Sequence, residues 1–222
     1  MAPFCLQMAG SIIQFILNMR LSKYGSEIAV GAMGVIGRST LILIMPIFGI
    51  NQGVQPIIGY NYGARKYDRV KEALKLATKA ATVVCIIGFL ILELIPQGLY
   101  YIFLDSKENI SMITLGVRAM RIYSIAFSLI GFQIIASSFF QSIGKAGISM
   151  FLSLSRQVLL LIPLLIFLPM IFGLDGVWFA APISDFLAAV LSFIMVRVEL
   201  KKLDKLETKR NNEIKVEENM SV

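Results

Sequence analysis

The sequence predicts an all-α integral membrane protein, a six-helix transmembrane bundle. Composition, run length and the lack of alternation predict it. Hydrophobic residues make up 57% of the 222 and charged residues 16%, against roughly 45–50% and 25% in a soluble domain. Several apolar runs reach the ~20 residues that a helix needs to cross the hydrocarbon core. Backbone groups in lipid must be satisfied within the segment or in a closed barrel, and these runs are too long and uniform to be alternating barrel strands.

Residues 1–19 carry no charge, nor do 39–64 or 122–144; 80–104 contains only Glu93 and 176–196 only Asp185. The stretch 146–174 is interrupted at Arg156 and carries Pro163 and Pro169. Spans are therefore expected at about 3–20, 28–58, 80–104, 113–141, 148–172 and 176–196, with boundaries good to roughly 2–4 residues. The chain starts inside hydrophobic sequence, with no basic leader or cleavage site of a signal peptide. The expectation is a fragment, or one half of a larger protein.

Counting Lys and Arg on alternate loops places fourteen on one side, from Arg65 to Lys79, at Lys145 and from Arg197 to Lys215. The other side holds Arg20, Lys23 and Lys107, or five with Arg118 and Arg121. Basic short loops stay cytoplasmic, so both termini are expected in the cytoplasm of a multi-pass cell (inner or plasma) membrane protein. Between Arg65 and Lys79, Val70, Leu74, Ala77 and Ala81 fall at helical spacing, which reads as an amphipathic helix on the inner leaflet. Residues 204–222 are highly charged and are expected to fray into disorder.

Histidine is absent, which removes histidine acid–base catalysis and metal ligation. Cys5 and Cys85 lie in spans without metal or redox spacing and read as packed thiols. With no nucleophile–base constellation or metal cluster, an enzyme is the least supported class. The basic loops are explained by topology, so no nucleic-acid partner is expected.

Polar groups inside spans are the functional candidates. Arg38 lies about ten residues, or ~15 Å, into the second span. Asp185 sits near the middle of the sixth span, where it could carry a proton or lock helices together; locking is favoured, and Arg156 of the fifth span lies nearer the cytoplasm. Glu93, before Pro96, reads as a wetted helix end. Gln7, Gln14 and Asn18 share one face of the first span, Gln52 and Gln55 one face of the second, and Gln133 and Gln141 roughly one face of the fourth. Such faces serve either a wet cavity or interhelical hydrogen bonding. Pro46, Pro56, Pro163 and Pro169 interrupt helix hydrogen bonding within or near spans, a feature shared by cavity-lining and passive membrane helices.

The stretch MPIFGINQGVQPIIGYNYGARKYDRVKEALK resembles the segment after the eighth helix of the multidrug and toxic compound extrusion (MATE) transporters, with its glutamine-glycine, proline and GYNYGA sequence before a basic helix. FFQSIGKAGISMFLSLSRQVLLLIPLLIFLP is similar to the family's tenth and eleventh helices, and FGLDGVWFAAPISDFLAAVLSF to its twelfth. The resemblance covers 1–203 as the carboxy-terminal lobe of a twelve-helix transporter and leans to the MepA-like bacterial branch.

It implies half of an antiporter that exports amphipathic, often cationic compounds in exchange for Na⁺ or H⁺ by alternating access. No cofactor is implied. The coupling ion would bind mainly in the absent amino-terminal lobe, because the first span here offers Gln7, Gln14 and Asn18 where some members have a glutamate. The implied partners are membrane lipid, small-molecule drugs, and the missing six-helix lobe or a second copy. Gln14, Asn18, Arg38, Gln52 and Gln55 are the expected cavity residues, with Gln133, Gln141, Arg156 and Asp185 as intramembrane polar support. Two other readings stay open: a lipid-linked saccharide flippase of the same superfamily, and a non-transporting membrane interaction module produced by truncation.

Overall fold

The computed structural model describes the backbone of residues 2–104 and 110–220 and the side chains of 6–104, 110–208 and 212. Cys5, Lys107, Lys209, Arg210 and Lys215, read above from the sequence, lie outside the described side chains. Within these bounds every element is helical: α1 (Ala2–Gly63), α2 (Tyr67–Leu94), α3 (Pro96–Phe103), α4 (Ile110–Ser124), α5 (Phe127–Ser142), α6 (Ala146–Leu154), a π-helical stretch (Ser155–Leu161) and α7 (Ile162–Met220).

Two of these are pairs of helices joined across a kink. Ser26, at φ 64°, divides α1 into arms 2–25 and 27–63, and Gly173, at φ 60°, divides α7 into arms 162–172 and 174–220. The first kink falls in the polar stretch between the first two expected spans. The second uses the residue type that tolerates positive φ. α4 and α5 form a bent pair, at 48° across residues 125–126. The result is an all-α membrane bundle of long apolar helices. Phe15, Leu41, Ile42, Met45, Ile171, Phe172, Phe186 and Ile194 lie exposed on its outside, a surface matched to lipid rather than to water.

The second arm of α1 runs past the expected end of the second span near 58, to Gly63, through both Pro46 and Pro56. It is closed by Lys66 N–H on the Asn61 carbonyl at 2.9 Å and Arg65 N–H on that of Tyr62 at 3.0 Å. This is a Schellman closure with Arg65 rather than glycine at φ 56°. The α5–α6 turn repeats it with Gly144 at φ 80°, Lys145 N–H bonding Phe140 and Gly144 N–H bonding Gln141.

The basic segment is not a separate surface helix. It is the first half of α2, continuous with the third span, and its stripe of Val70, Leu74, Ala77 and Ala81 is buried against protein. The stripe falls where the helical period puts it, and the partner of the apolar face is α1 and α5 rather than lipid.

The charged tail also departs from expectation, since α7 stays helical past 204 to Met220. Three anchors hold its beginning. Leu203 is fully buried, Glu199 is buried and paired with Lys145, and Lys71 bridges Asp204 and Glu207 at 3.0 and 2.7 Å. Hydrogen bonding with Glu207 and then Asp204 pushes the Lys71 ammonium above its ordinary range.

The core is aromatic and closely packed. Trp178, Tyr100, Phe127, Phe139 and Phe140 are its largest fully buried side chains. Tyr100 donates its hydroxyl to the Ala32 carbonyl at 2.9 Å, which supplies the partner that a buried phenol needs. Pro96 starts α3, a position at which its missing N–H leaves no extra orphan.

Candidate functional site

A cavity of about 350 Å³ opens between the second arm of α1, α5, the α6–π segment and α7. α5 lines it with Ile130, Gln133, Ile134, Ser137 and Ser138, the i, i+3, i+4, i+7, i+8 spacing of one helical face. α1 adds Ile44, Phe48 and Asn51 at the same kind of spacing, with Leu6 from the first arm. Leu152, Ser153, Arg156 and Gln157 come from the α6–π segment and Ser192 from α7.

The π-helix sets the polar end of this cavity. Pro163 has no N–H for the carbonyl four residues before it, and the wide turns of Ser155–Leu161 run up to it. Within those turns the Arg156 carbonyl accepts the Ser184 hydroxyl at 2.9 Å. The Arg156 side chain reaches across to α7, Nε to Asp185 Oδ1 at 2.7 Å. The pair is asymmetric in solvation: the Arg156 side chain is 34% exposed, into the cavity, and that of Asp185 only 9%.

Gln133 completes the cluster. Its Nε2 donates to the Asp185 backbone carbonyl at 2.7 Å, which fixes the amide orientation and turns Oε1 away from that contact. The residue is 6% exposed and Oε1 has no protein partner; Asn51 Oδ1, also lining the cavity, has none either. A buried acceptor without a donor costs about 1–3 kcal/mol, so each oxygen demands water or a ligand hydrogen. Next to them, Ser137 Oγ lies 2.9 Å from Ser153 Oγ and 3.0 Å from Ser149 Oγ, a hydroxyl cluster that can donate or accept. Among the described residues no three His, Cys, Asp or Glu side chains gather as a metal site would require.

The expected site residues divide clearly. Gln133, Arg156 and Asp185, read as support, are brought together at the cavity. Gln55 meets it indirectly, Nε2 donating to Ser138 Oγ at 3.3 Å. Gln14 and Asn18 pair with each other on the first arm, at 3.2 Å, and do not line the cavity. Arg38, Gln52 and Gln141 are exposed and also stand outside its lining. Glu93, read as a wetted end, is half-buried and faces Arg121 at 3.9 Å.

Sequence reasoning missed Asn51, Gln157 and the serines. Asn51 continues the Ile44–Phe48 row at helical spacing and Gln52 is rotated about 100° from it, but which row faces the cavity is set by packing. The serines carried no signal, because a lone serine in a span is ordinary.

The family model described as MatE matches residues 3–167. The multidrug export protein MepA of Staphylococcus aureus (strain MSSA476) is 25% identical over 181 residues, covering 82% of this chain and 39% of that protein. Among solved structures, the inward-facing conformation of a multidrug resistance MATE family transporter of the MOP superfamily superposes with a TM-score of 0.84 at 26% identity, covering 90% of this chain and 46% of the other. The MATE multidrug transporter DinF-BH gives 0.76 at 41% identity, covering 88% and 43%. The chain thus spans about two fifths of the length of the curated relatives it matches.

Proposed function

This chain belongs to the MATE family, and on that premise we propose that it forms one lobe of a multidrug efflux antiporter, its cavity one wall of the substrate path. The assembled protein exports amphipathic, often cationic compounds from the cell in exchange for Na⁺ or H⁺, by alternating access between two lobes. It sits in the cell membrane with both termini cytoplasmic, and a second six-helix lobe or a second copy supplies the opposite wall. MepA is named for multidrug export, and the likeness to both an outward-facing and an inward-facing MATE transporter supports a lobe that keeps its shape between the two states.

The observation that carries the reading is the pair of unpartnered oxygens, Gln133 Oε1 and Asn51 Oδ1, in a cavity otherwise lined by apolar side chains, hydroxyls, Gln157 and the paired Arg156. They select hydrogen-bond donors, as on an ammonium or amidinium group, beside apolar walls for the ligand's body. The one guanidinium present is already paired with Asp185. A pyrophosphate would meet two unpartnered acceptor oxygens and a cation already neutralised by Asp185, with only neutral hydroxyl and amide donors to offset them, which disfavours the saccharide-flippase reading.

The test is equilibrium binding of a cationic dye to the chain assembled with its second lobe, followed by efflux from cells. Gln133→Leu and Asn51→Leu should each weaken binding about tenfold or more, since a hydrogen bond to a charged donor is worth about 1.5–3 kcal/mol. Arg38→Ala should leave it unchanged. Unaltered affinity in both leucine variants refutes the proposal, and no dye binding by the wild type favours the non-transporting module.

A further inference from the structure

A second concavity lies on another face of the same helix and shares no lining residue with the candidate cavity. It is a groove of about 690 Å³ between the end of α1, lined by Ile50, Val54, Ile57 and Asn61, and the start of α2. At about 100° per residue, this row lies roughly a third of a turn round α1 from Asn51.

The groove is graded along its length. One end carries Arg69, Glu72 and Asn61; the rest is apolar, with Ile57, Val54 and Ile50 facing Leu76, Ala77 and Ala80. Ile50 to Asn61 rises about 16 Å, close to half the ~30 Å hydrocarbon core. Ile57 and Leu76 are left exposed, at 51% and 67%. A head-and-tail ligand about one leaflet deep matches this shape; a soluble ion would leave the apolar length unused.

Charge selects the head. At the polar end stand Lys66 and Arg69, both exposed and without an ion pair among the described residues, against the single carboxylate of Glu72, while Lys75 and Lys79 lie further along α2 and outside the lining. Lys71, on the other face of α2, is already held by Asp68, Asp204 and Glu207. Basic pockets between helices on the cytoplasmic side bind anionic lipid head groups. We infer that the α1–α2 groove is a binding site for one anionic phospholipid, its phosphate on Arg69 and an acyl chain along Val54, Ile57 and Leu76.

The inference needs the membrane fold but not transport, and its test is independent of efflux. The purified full chain in phosphatidylcholine nanodiscs is titrated with spin-labelled phosphatidylglycerol, or spin-labelled phosphatidylcholine, and the motionally restricted fraction is measured. Wild type should restrict phosphatidylglycerol in preference. Arg69→Gln should weaken that binding about fivefold, the worth of one basic side chain at an anionic surface. Ala80→Leu, which fills the apolar end without touching charge, should abolish the restricted fraction while emission from buried Trp178 stays native. Equal restriction of the two lipids overturns the inference. So does an Arg69→Gln effect no larger than that of Lys75→Gln, outside the lining, since the attraction would then be diffuse. A groove closed to lipid by a second lobe or copy, seen as no restricted fraction in the assembled protein, overturns it as well.

Discussion

Replacing Arg156 by methionine removes the guanidinium 2.7 Å from Asp185 and keeps an unbranched apolar side chain in its place. The gross attraction of such a pair is about 6 kcal/mol at an effective dielectric of about 20, but desolvation cancels much of it. What decides the outcome is which charge is stranded. Asp185, with 9% of its side chain exposed, would remain buried without its partner, a change that costs about 3–5 kcal/mol. In Asp185→Leu the stranded group is Arg156, 34% exposed to the cavity and able to keep water. That loss should be smaller, about 1–3 kcal/mol, closer to a lost charged hydrogen bond. The double variant removes both charges and should lie within about 1 kcal/mol of wild type. Unfolding in detergent can be followed by emission from Trp178, the only tryptophan and fully buried. The reasoning fails if Arg156→Met destabilises no more than Asp185→Leu, or if the double variant equals the sum of the singles.

The other predictions concern packing, the kink and the tail. At Gly131 a Cβ would stand 2.8 Å from the Ala81 carbonyl oxygen and 2.9 Å from Cys85 Sγ, so Gly131→Ala should cost about 1–3 kcal/mol in the same melt. Gly37→Ala, with nothing within 4 Å, should be neutral or stabilising by about 0.5–1 kcal/mol; equal effects would refute the α2–α5 contact. At Gly173 the obstacle is φ 60° rather than space, and Gly173→Ala should lower stability by about 1–2 kcal/mol; an unchanged melting temperature would count against the kink. The tail clamp has a defined pH window. Lys71 is raised by Glu207 and Asp204, so its contribution is complete below the ordinary lysine value of about 10.4 and is lost as pH rises through the raised one. Asp68 is lowered by hydrogen bonding with Glu207 and then Lys71. Its share is therefore complete above about 3.9 and is lost on further acidification. Spin labels at Lys75 and Lys205 should hold one separation across neutral pH and part only in strong alkali or acid; separation near pH 7 would refute the clamp.

How far the sequence could be read follows from the range of each interaction. Arg38 and Gln52 were chosen by depth and residue type, which are local properties, and the fold leaves both outside the cavity. Depth along the spans puts Arg156 nearer the cytoplasm than Asp185 and names no partner for either, yet the fold brings the two to 2.7 Å. Glu199 looked like one of many tail charges. Its burial beside Lys145 depends on where the α5–α6 turn comes to rest, which no local pattern states.

The apolar runs by themselves determined the helical membrane class, the neighbourhoods of the breaks near 26 and 173, and the positions of the apolar stripe of α2 though not its partner, because transfer to lipid and helical period act residue by residue along one segment. Tertiary structure alone decided that Asn51 rather than Gln52 lines the cavity, that a π-helix carries Arg156 towards Asp185, and that the tail stays helical past 204. The reason is rotational: one residue turns a side chain by about 100°, so the partner of a polar group is settled only when neighbouring helices fix their angle and register.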